Sequence, residues 1–203
     1  FTAGVQSYNL PASASDTGAL VNIARVEVAK GPTSTLYGGG TGAPLSGIIN
    51  LVSADPAATA SARIAARYGA FDTRGGELEA NLPVGALRLR IAGDYEAGDS
   101  YLDAVNHERW SISPTTALDL GADTTLTVRG QYARVAQLEY AGLPVALIGR
   151  VDDDTFAGSP DAPRTVVKNR ALTATLSHRF SDNWRAEVTA RRFANNFAEF
   201  GSF

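Results

Sequence analysis

Leu172-Thr173-Ala174-Thr175-Leu176-Ser177-His178-Arg179-Phe180-Ser181-Asp182-Asn183-Trp184-Arg185-Ala186-Glu187-Val188-Thr189-Ala190-Arg191 alternates on both sides of a tight Ser-Asp-Asn turn. Leu172, Ala174, Leu176 and Phe180 share one face against Thr173, Thr175, Ser177 and Arg179. After the turn, Trp184, Ala186, Val188 and Ala190 oppose Arg185, Glu187, Thr189 and Arg191. Period two is the signature of a strand with unlike faces, and two such runs joined by a short polar turn form an antiparallel hairpin. The large aromatics stand at the turn, and the positions further along hold only Leu, Ala and Val.

The same grammar extends back to about residue 60. Ile64, Ala66 and Tyr68 face away from Arg63 and Arg67; Leu78, Ala80 and Leu82 from Glu77, Glu79 and Asn81. Leu87, Leu89, Ile91 and Tyr95 oppose Arg88, Arg90 and Asp94. Trp110, Ile112, Leu118 and Leu120 oppose Arg109, Ser111, Ser113 and Asp119, and Leu126, Val128 and Tyr132 oppose Thr127, Arg129 and Gln131. These seven strands run about 9–13 residues, beyond the ~5–6 of soluble sheets and near the ~9–11 that cross a bilayer at a tilt. Pro83–Ala86, Gly121–Asp123 and Ser181–Asn183 read as tight turns on one side. Glu96–His107 and Gln137–Val167 read as long polar loops on the other, where Gly69–Thr73 is the one short connection. Short turns on one side and long loops on the other are the pattern of an outer-membrane barrel, turns periplasmic. With that orientation Tyr68, Tyr95, Trp110 and Tyr132 fall at outer strand ends and Phe180 and Trp184 at inner ends, all on the apolar face, as two interfacial girdles require. A soluble β-sandwich has no reason to confine aromatics to strand ends.

Composition agrees. The 203 residues carry 18 basic and 21 acidic side chains, a net charge of −3, which lacks the footprint of a general nucleic-acid binder. Mean hydropathy is −0.08, and no apolar run approaches the ~18–20 residues of a membrane helix. Alternating strands average to such a value. Cysteine is absent, which excludes disulfides, thiol catalysis and cysteine-held metals. Two distant histidines and no nucleophile elbow leave an enzyme without a site, and Gly38–Gly42 lacks the Gly-Lys-Ser/Thr of a phosphate loop. Seven strands would leave an open edge in hydrocarbon, with backbone groups unpaired at several kcal/mol each. The chain is therefore expected to be a piece of a longer protein, unable to fold stably alone.

Residues 1–56 read differently, as a compact mixed segment. Arg25–Lys30 alternates and stops at Gly31-Pro32; Pro32–Tyr37 suggests a short helical turn; a flexible glycine run follows; Gly47–Ser53 reads as a second, largely buried strand. The series Asn22-Ile23-Ala24-Arg25-Val26-Glu27-Val28-Ala29-Lys30-Gly31-Pro32, Leu36-Tyr37-Gly38 and Gly47-Ile48-Ile49-Asn50-Leu51-Val52 resembles the plug domain of TonB-dependent outer-membrane receptors, most of all the siderophore-receptor branch. Trp110–Pro114, Ala141–Pro144 and Ser177–Trp184 also resemble the early barrel of that branch. Its motif residues are Arg25, Glu27, Lys30, Gly31, Pro32, Leu36, Tyr37, Gly38, Gly47 and Asn50. One departure is a longer glycine-rich insert with Ala43-Pro44-Leu45-Ser46 ahead of Ile48. The resemblance implies residues 1–56 as the C-terminal part of a mixed α/β plug and 57–203 as about seven strands of a 22-stranded transmembrane antiparallel barrel. It further implies a receptor that binds an extracellular ferric siderophore and imports it with energy from TonB and its ExbB/ExbD complex, through a plug segment outside this chain. Iron would enter only as part of the cargo, without a resident cofactor. Haem, cobalamin or a saccharide are other cargoes the family carries. A passive porin or a soluble β-rich binding module are readings from other classes, and a plug argues against the porin.

Particular side chains follow. Arg25, Glu27 and Lys30 are expected either to lock plug to barrel wall by ion pairs or to form a locally paired strand face. The lumen-facing Arg63, Arg67, Arg88, Arg90, Arg109 and Arg129 have two roles open to them, steering an anionic chelate or pairing with Glu77, Glu79, Asp94 and plug carboxylates; pairing is the expectation for most. Tyr8, Tyr101, His107 and Tyr140 are the candidates for cradling a ligand from plug or loops, against ordinary loop packing. Asp152-Asp153-Asp154 reads as a solvated acidic loop and His178 as an interfacial residue.

Overall fold

The computed structural model describes residues 21–30, 47–140 and 142–200. The helical turn expected at Pro32–Tyr37, the glycine run and the insert before Ile48 lie outside them. β1 (Ile23–Lys30) and β2 (Gly47–Ser53) pair antiparallel as a two-stranded sheet. The remaining strands form one antiparallel sheet in chain order: β3 (Ser61–Tyr68), β4 (Arg74–Val84), β5 (Leu87–Asp99), β6 (Asn106–Asp119), β7 (Thr124–Gln137), β8 (Thr165–Ser181) and β9 (Trp184–Ala198). Among the described residues the one helical feature is a 3-10 turn, Val145–Leu147. No helix there is long and apolar enough to cross a membrane. Any crossing falls to the strands.

The tight turns sit where glycine and polar residues put them. Two residues, Gly85 and Ala86, separate β4 from β5, with Gly85 at φ 61°, and Asp182-Asn183 separates β8 from β9. The opposite side departs from expectation at one place. Glu96–His107, read as a loop, is half ladder: Glu96 pairs with Arg109, Gly98 with His107 and Asp99 with Asn106, which leaves residues 100–105 as the loop. The glycine there serves close approach, since a Cβ on Gly98 would lie 2.7 Å from Thr73 Oγ1 and 3.1 Å from His107 Cε1. The second long connection, described over residues 138–140 and 142–164, remains a loop. It docks on the first through Asp103 N–H, which donates to Asp154 O at 2.8 Å. β8 and β9 reach 17 and 15 residues, longer than their periodicity alone suggested.

Pro114 lies inside β6, an unusual place for a residue without an N–H. The β6–β7 pairing skips from Ile112 to Thr115, and Gly130 lies across the gap, where a Cβ would be 3.2 Å from Pro114 Cγ. A glycine opposite the proline lets the ladder close around it.

Burial is inverted relative to a soluble sheet. Arg90 is 8% exposed and Asp94 7%, whereas Ile64 is 80%, Trp184 73% and Val188 68% exposed. The buried face is the charged one and the bare face is aliphatic. Large apolar patches without cover mark contact with lipid or a partner, and here the patch spans a whole sheet. Its rims carry the aromatics: Trp110 stacks on Tyr132 at 4.9 Å on the loop side, and His178 meets Phe180 edge-on at 4.3 Å on the turn side. This is part of the wall of a transmembrane barrel, lipid on one side and a polar lumen on the other.

Candidate functional site

The lumen face is organised by strand pairing, which puts arginines and carboxylates of neighbouring strands directly or diagonally opposite. Three clusters follow one another along it. Nearest the loops, Glu96 accepts from Arg67 Nε at 2.9 Å and pairs with Arg109 Nε at 3.1 Å and His107 Nε2 at 3.6 Å. Arg67 also donates through Nη1 to Glu77 at 2.6 Å, and Ser111 donates its hydroxyl to the buried Asp94. Gly75 leaves room for this hub, since a Cβ there would sit 2.7 Å from Tyr95 O and 3.0 Å from Arg67 Nε.

The middle cluster joins wall to hairpin. Arg90 Nη2 donates to Glu79 Oε2 at 2.9 Å and to the Val21 carbonyl at 3.4 Å, while its Nε reaches Asn22 Oδ1 at 3.5 Å. Arg63 approaches the other oxygen of Glu79 at 3.4 Å. The guanidinium is thus divided between a wall carboxylate and the chain entering β1. Towards the turns, Arg129 forms an ion pair with Asp55, just after β2, and Arg88 pairs with Asp119 at 2.9 Å. A cavity of about 540 Å³ lies between β2 and the wall here, lined by Arg25, Asp55, Arg88, Arg129, Arg185 and Glu187 among others. The linker is tied down as well, with Ala57 N–H donating to Asn81 Oδ1 at 3.0 Å.

Pairing was the expectation for most of the six lumen arginines, and each of the six has a carboxylate partner, among Glu79, Glu77, Glu96, Asp119 and Asp55. Within β1, Arg25 Nε meets Glu27 Oε1 of its own strand at 2.7 Å, and Lys30 is exposed at the strand end. Among the described residues, an ion pair to the wall also comes from Asp55, just after β2. Glu96, expected to begin a loop, lies in the β5–β6 ladder. Its signal was there: it continues the period of Asp94 by two residues.

Of the ligand candidates, Tyr101 is exposed in the loop after β5. His107, expected in a loop, belongs to β6 and faces Glu96, because the ladder continues past the polar residues. Tyr140 packs within its loop, its hydroxyl donating to Thr155 O at 3.2 Å and its ring 5.4 Å from Phe156. Gly47 and Asn50 lie in β2, paired with Lys30 and Glu27. Tyr8, Gly31, Pro32, Leu36, Tyr37 and Gly38 lie outside the described residues.

Among the described residues, a small hairpin is thus docked on a wall of paired charges. Known proteins resemble the chain in sequence and in fold. No family model matches the chain. The metal-pseudopaline receptor CntO of Pseudomonas aeruginosa is 32% identical over 173 residues, 83% of this chain and 24% of that receptor. The catecholate siderophore receptor Fiu of Escherichia coli K12 is 28% identical over 189 residues, covering 84% of this chain and 24% of its own length. The crystal structure of Fiu in its open form superposes with a TM-score of 0.77 at 25% identity, over 88% of this chain and 30% of that one. The chain thus spans about a quarter of the length of the curated relatives it matches. Inverted sheet, docked hairpin and these likenesses agree: the chain belongs to the TonB-dependent outer-membrane receptors, in their siderophore-receptor branch.

Proposed function

We propose that the receptor containing this stretch takes up an extracellular metal chelate, a ferric siderophore, and moves it inward by a TonB-driven displacement of the plug. The observation that carries the reading is the way the hairpin is held. Among the described residues, polar contacts tie it to the wall: the Asp55–Arg129 pair, Arg90 on Val21 O and Asn22, and Asn81 on Ala57 N–H. An ion pair with an exposed member, such as Asp55–Arg129, contributes ~0–1 kcal/mol; Arg90 holds more firmly, and displaced polar groups regain water in a wet lumen. Such a hairpin is held in place yet detachable by a modest pull, whereas a jigsaw of apolar side chains would resist one. The outer membrane holds no nucleotide fuel, so the work has to arrive through an inner-membrane partner. CntO is named for a metal-pseudopaline complex rather than a ferric one, which favours a second reading, a chelate of another transition metal.

The test is uptake of radioiron-loaded siderophores into cells whose sole siderophore receptor is the full-length protein, with and without TonB. Uptake of at least one ferric chelate should vanish without TonB, and sub-micromolar binding to cells should persist. Uptake that continues unchanged without TonB would make the protein a passive channel. Binding of a sugar or corrinoid, with indifference to every chelate, would remove the substrate. The same chelates loaded with zinc or nickel separate the second reading from the first.

A further inference from the structure

The lipid-facing side carries charges that neither barrel formation nor cargo uptake explains. Residues paired directly across an antiparallel ladder share a face, so the register assigns each side chain. On the lipid face of β3 to β9 the basic residues are Arg74, Arg134, Lys168, Arg170 and Arg192. All stand towards the loop side, and the turn-side rim around Phe180 and Trp184 has His178 but no lysine or arginine among the described residues. Four of the five gather on three adjacent strands, β7 to β9.

Their depth follows from the aromatic girdle. Tyr95 pairs with Gly76, which pairs with Ala66, two residues inward of Tyr68. Trp110 pairs with Tyr95, whereas Tyr132 pairs with Ile112, two residues inward of Trp110. The girdle therefore steps two residues along the register for every two strands, as tilted strands in a barrel require. Tyr132 pairs with Arg170, and Arg170 with Ala194, so the next step falls on Arg192. Arg192 occupies a girdle position. Arg170 lies beside the girdle with its guanidinium 5.4 Å from the Tyr132 ring centre, and Lys168 lies directly across from Arg134, further out. The one carboxylate in the patch is Glu108, 3.0 Å from Arg134. Among the described residues, Lys168, Arg170 and Arg192 have no carboxylate within 4 Å.

A cation on a barrel's lipid face is unfavourable by ~2–4 kcal/mol at mid-membrane and by ~0–1 near the interface. This cluster is therefore tolerable at headgroup depth and nowhere else. Four cations against one anion, beside stacked Trp110 and Tyr132, suit an acidic headgroup whose chains run down the aliphatic face. Arginine forks match phosphate oxygens two at a time, and lysine supplies a point charge. We propose that Arg134, Lys168, Arg170 and Arg192 form a binding site for the phosphate groups of a phosphorylated outer-leaflet glycolipid. The confinement of the cations to the extracellular rim selects that leaflet over the inner one.

The experiment titrates the full-length receptor in detergent with diphosphorylated lipid A, its enzymatically dephosphorylated form, and inorganic phosphate, reading bound lipid by native mass spectrometry. The unaltered receptor should prefer the phosphorylated lipid by at least tenfold, and millimolar inorganic phosphate should fail to displace it. Lys168→Gln/Arg170→Gln/Arg192→Gln should lose that preference while keeping heat-modifiable gel migration, and the loop variant Arg150→Gln should keep it. Equal binding of the two lipids by the unaltered receptor would overturn the assignment, whatever the variants do. Displacement by inorganic phosphate would overturn it too, in favour of a free-anion site. So would a folded triple variant with undiminished preference.

Discussion

Leu176→Arg, placed in a full-length receptor, is expected to destabilise the assembled barrel by about 2–4 kcal/mol, the penalty for arginine near mid-membrane. Leu176 lies on β8 between the aromatic rims, six residues inward of Arg170, which pairs with Tyr132, and four from Phe180, with Leu126 and Val188 across its two ladders, and it is 43% exposed. That exposure makes the prediction discriminating. On a soluble sheet, arginine at a half-bare site would change stability by less than about 0.5 kcal/mol. Its neighbour Thr175 faces the lumen, so Thr175→Arg should be close to neutral. Urea unfolding in lipid vesicles, followed by the heat-modifiable gel shift, measures both. Equal tolerance at the two positions would remove the lipid from that face.

Arg90→Met carries the second large effect. The Arg90 side chain is 7% exposed and is shared among Glu79, Val21 O and Asn22. Its removal leaves Glu79 with Arg63 alone, at 3.4 Å, and strands a carbonyl acceptor on the hairpin. Breaking a buried ion pair typically removes ~3–5 kcal/mol; with Glu79 partly exposed and Arg63 retained, about 2–3 kcal/mol is expected. The loss should appear locally, as faster proteolysis of the hairpin with the barrel intact. The double variant Arg90→Met/Glu79→Gln should recover part of it, because the stranded charge has gone as well. A hairpin protected equally in all three proteins would show that Arg90 does not hold it.

Much of the wall was legible because one property, period-two alternation, fixes strand, face and environment together. Leu172 to Phe180 and Trp184 to Ala190 lie on the face their spacing assigned them. Alternation fails where the composition changes for another reason. Ala97-Gly98-Asp99 looks like a loop, yet it extends β5 because Gly98 admits Thr73 and His107. His107 was misplaced for the same reason. The lumen site was legible in kind but incomplete in its members. Arginines and carboxylates on one face predict ion pairs, but which plug atoms they meet depends on how the hairpin docks, a long-range matter no local pattern encodes. Asp55 and the Val21 carbonyl are contacts of that sort. The lipid-face cations escaped notice because Lys168 and Arg170 precede the segment where alternation is clean, and their depth emerges only once the register of seven strands is known.

The central claim is that the aliphatic face of this sheet touches lipid while the charged face lines a wet lumen. The chain has no cysteine, so single spin labels at Leu172, Ala174, Thr175, Leu176 and Ser177 of a full-length receptor without other cysteines test it directly in vesicles. Collisions with oxygen, which concentrates in the bilayer, should dominate at Leu172, Ala174 and Leu176. Collisions with a water-soluble nickel chelate should dominate at Thr175 and Ser177. The account is contradicted if the leucine positions are sealed from both reagents, as in a protein core, or favour the nickel chelate.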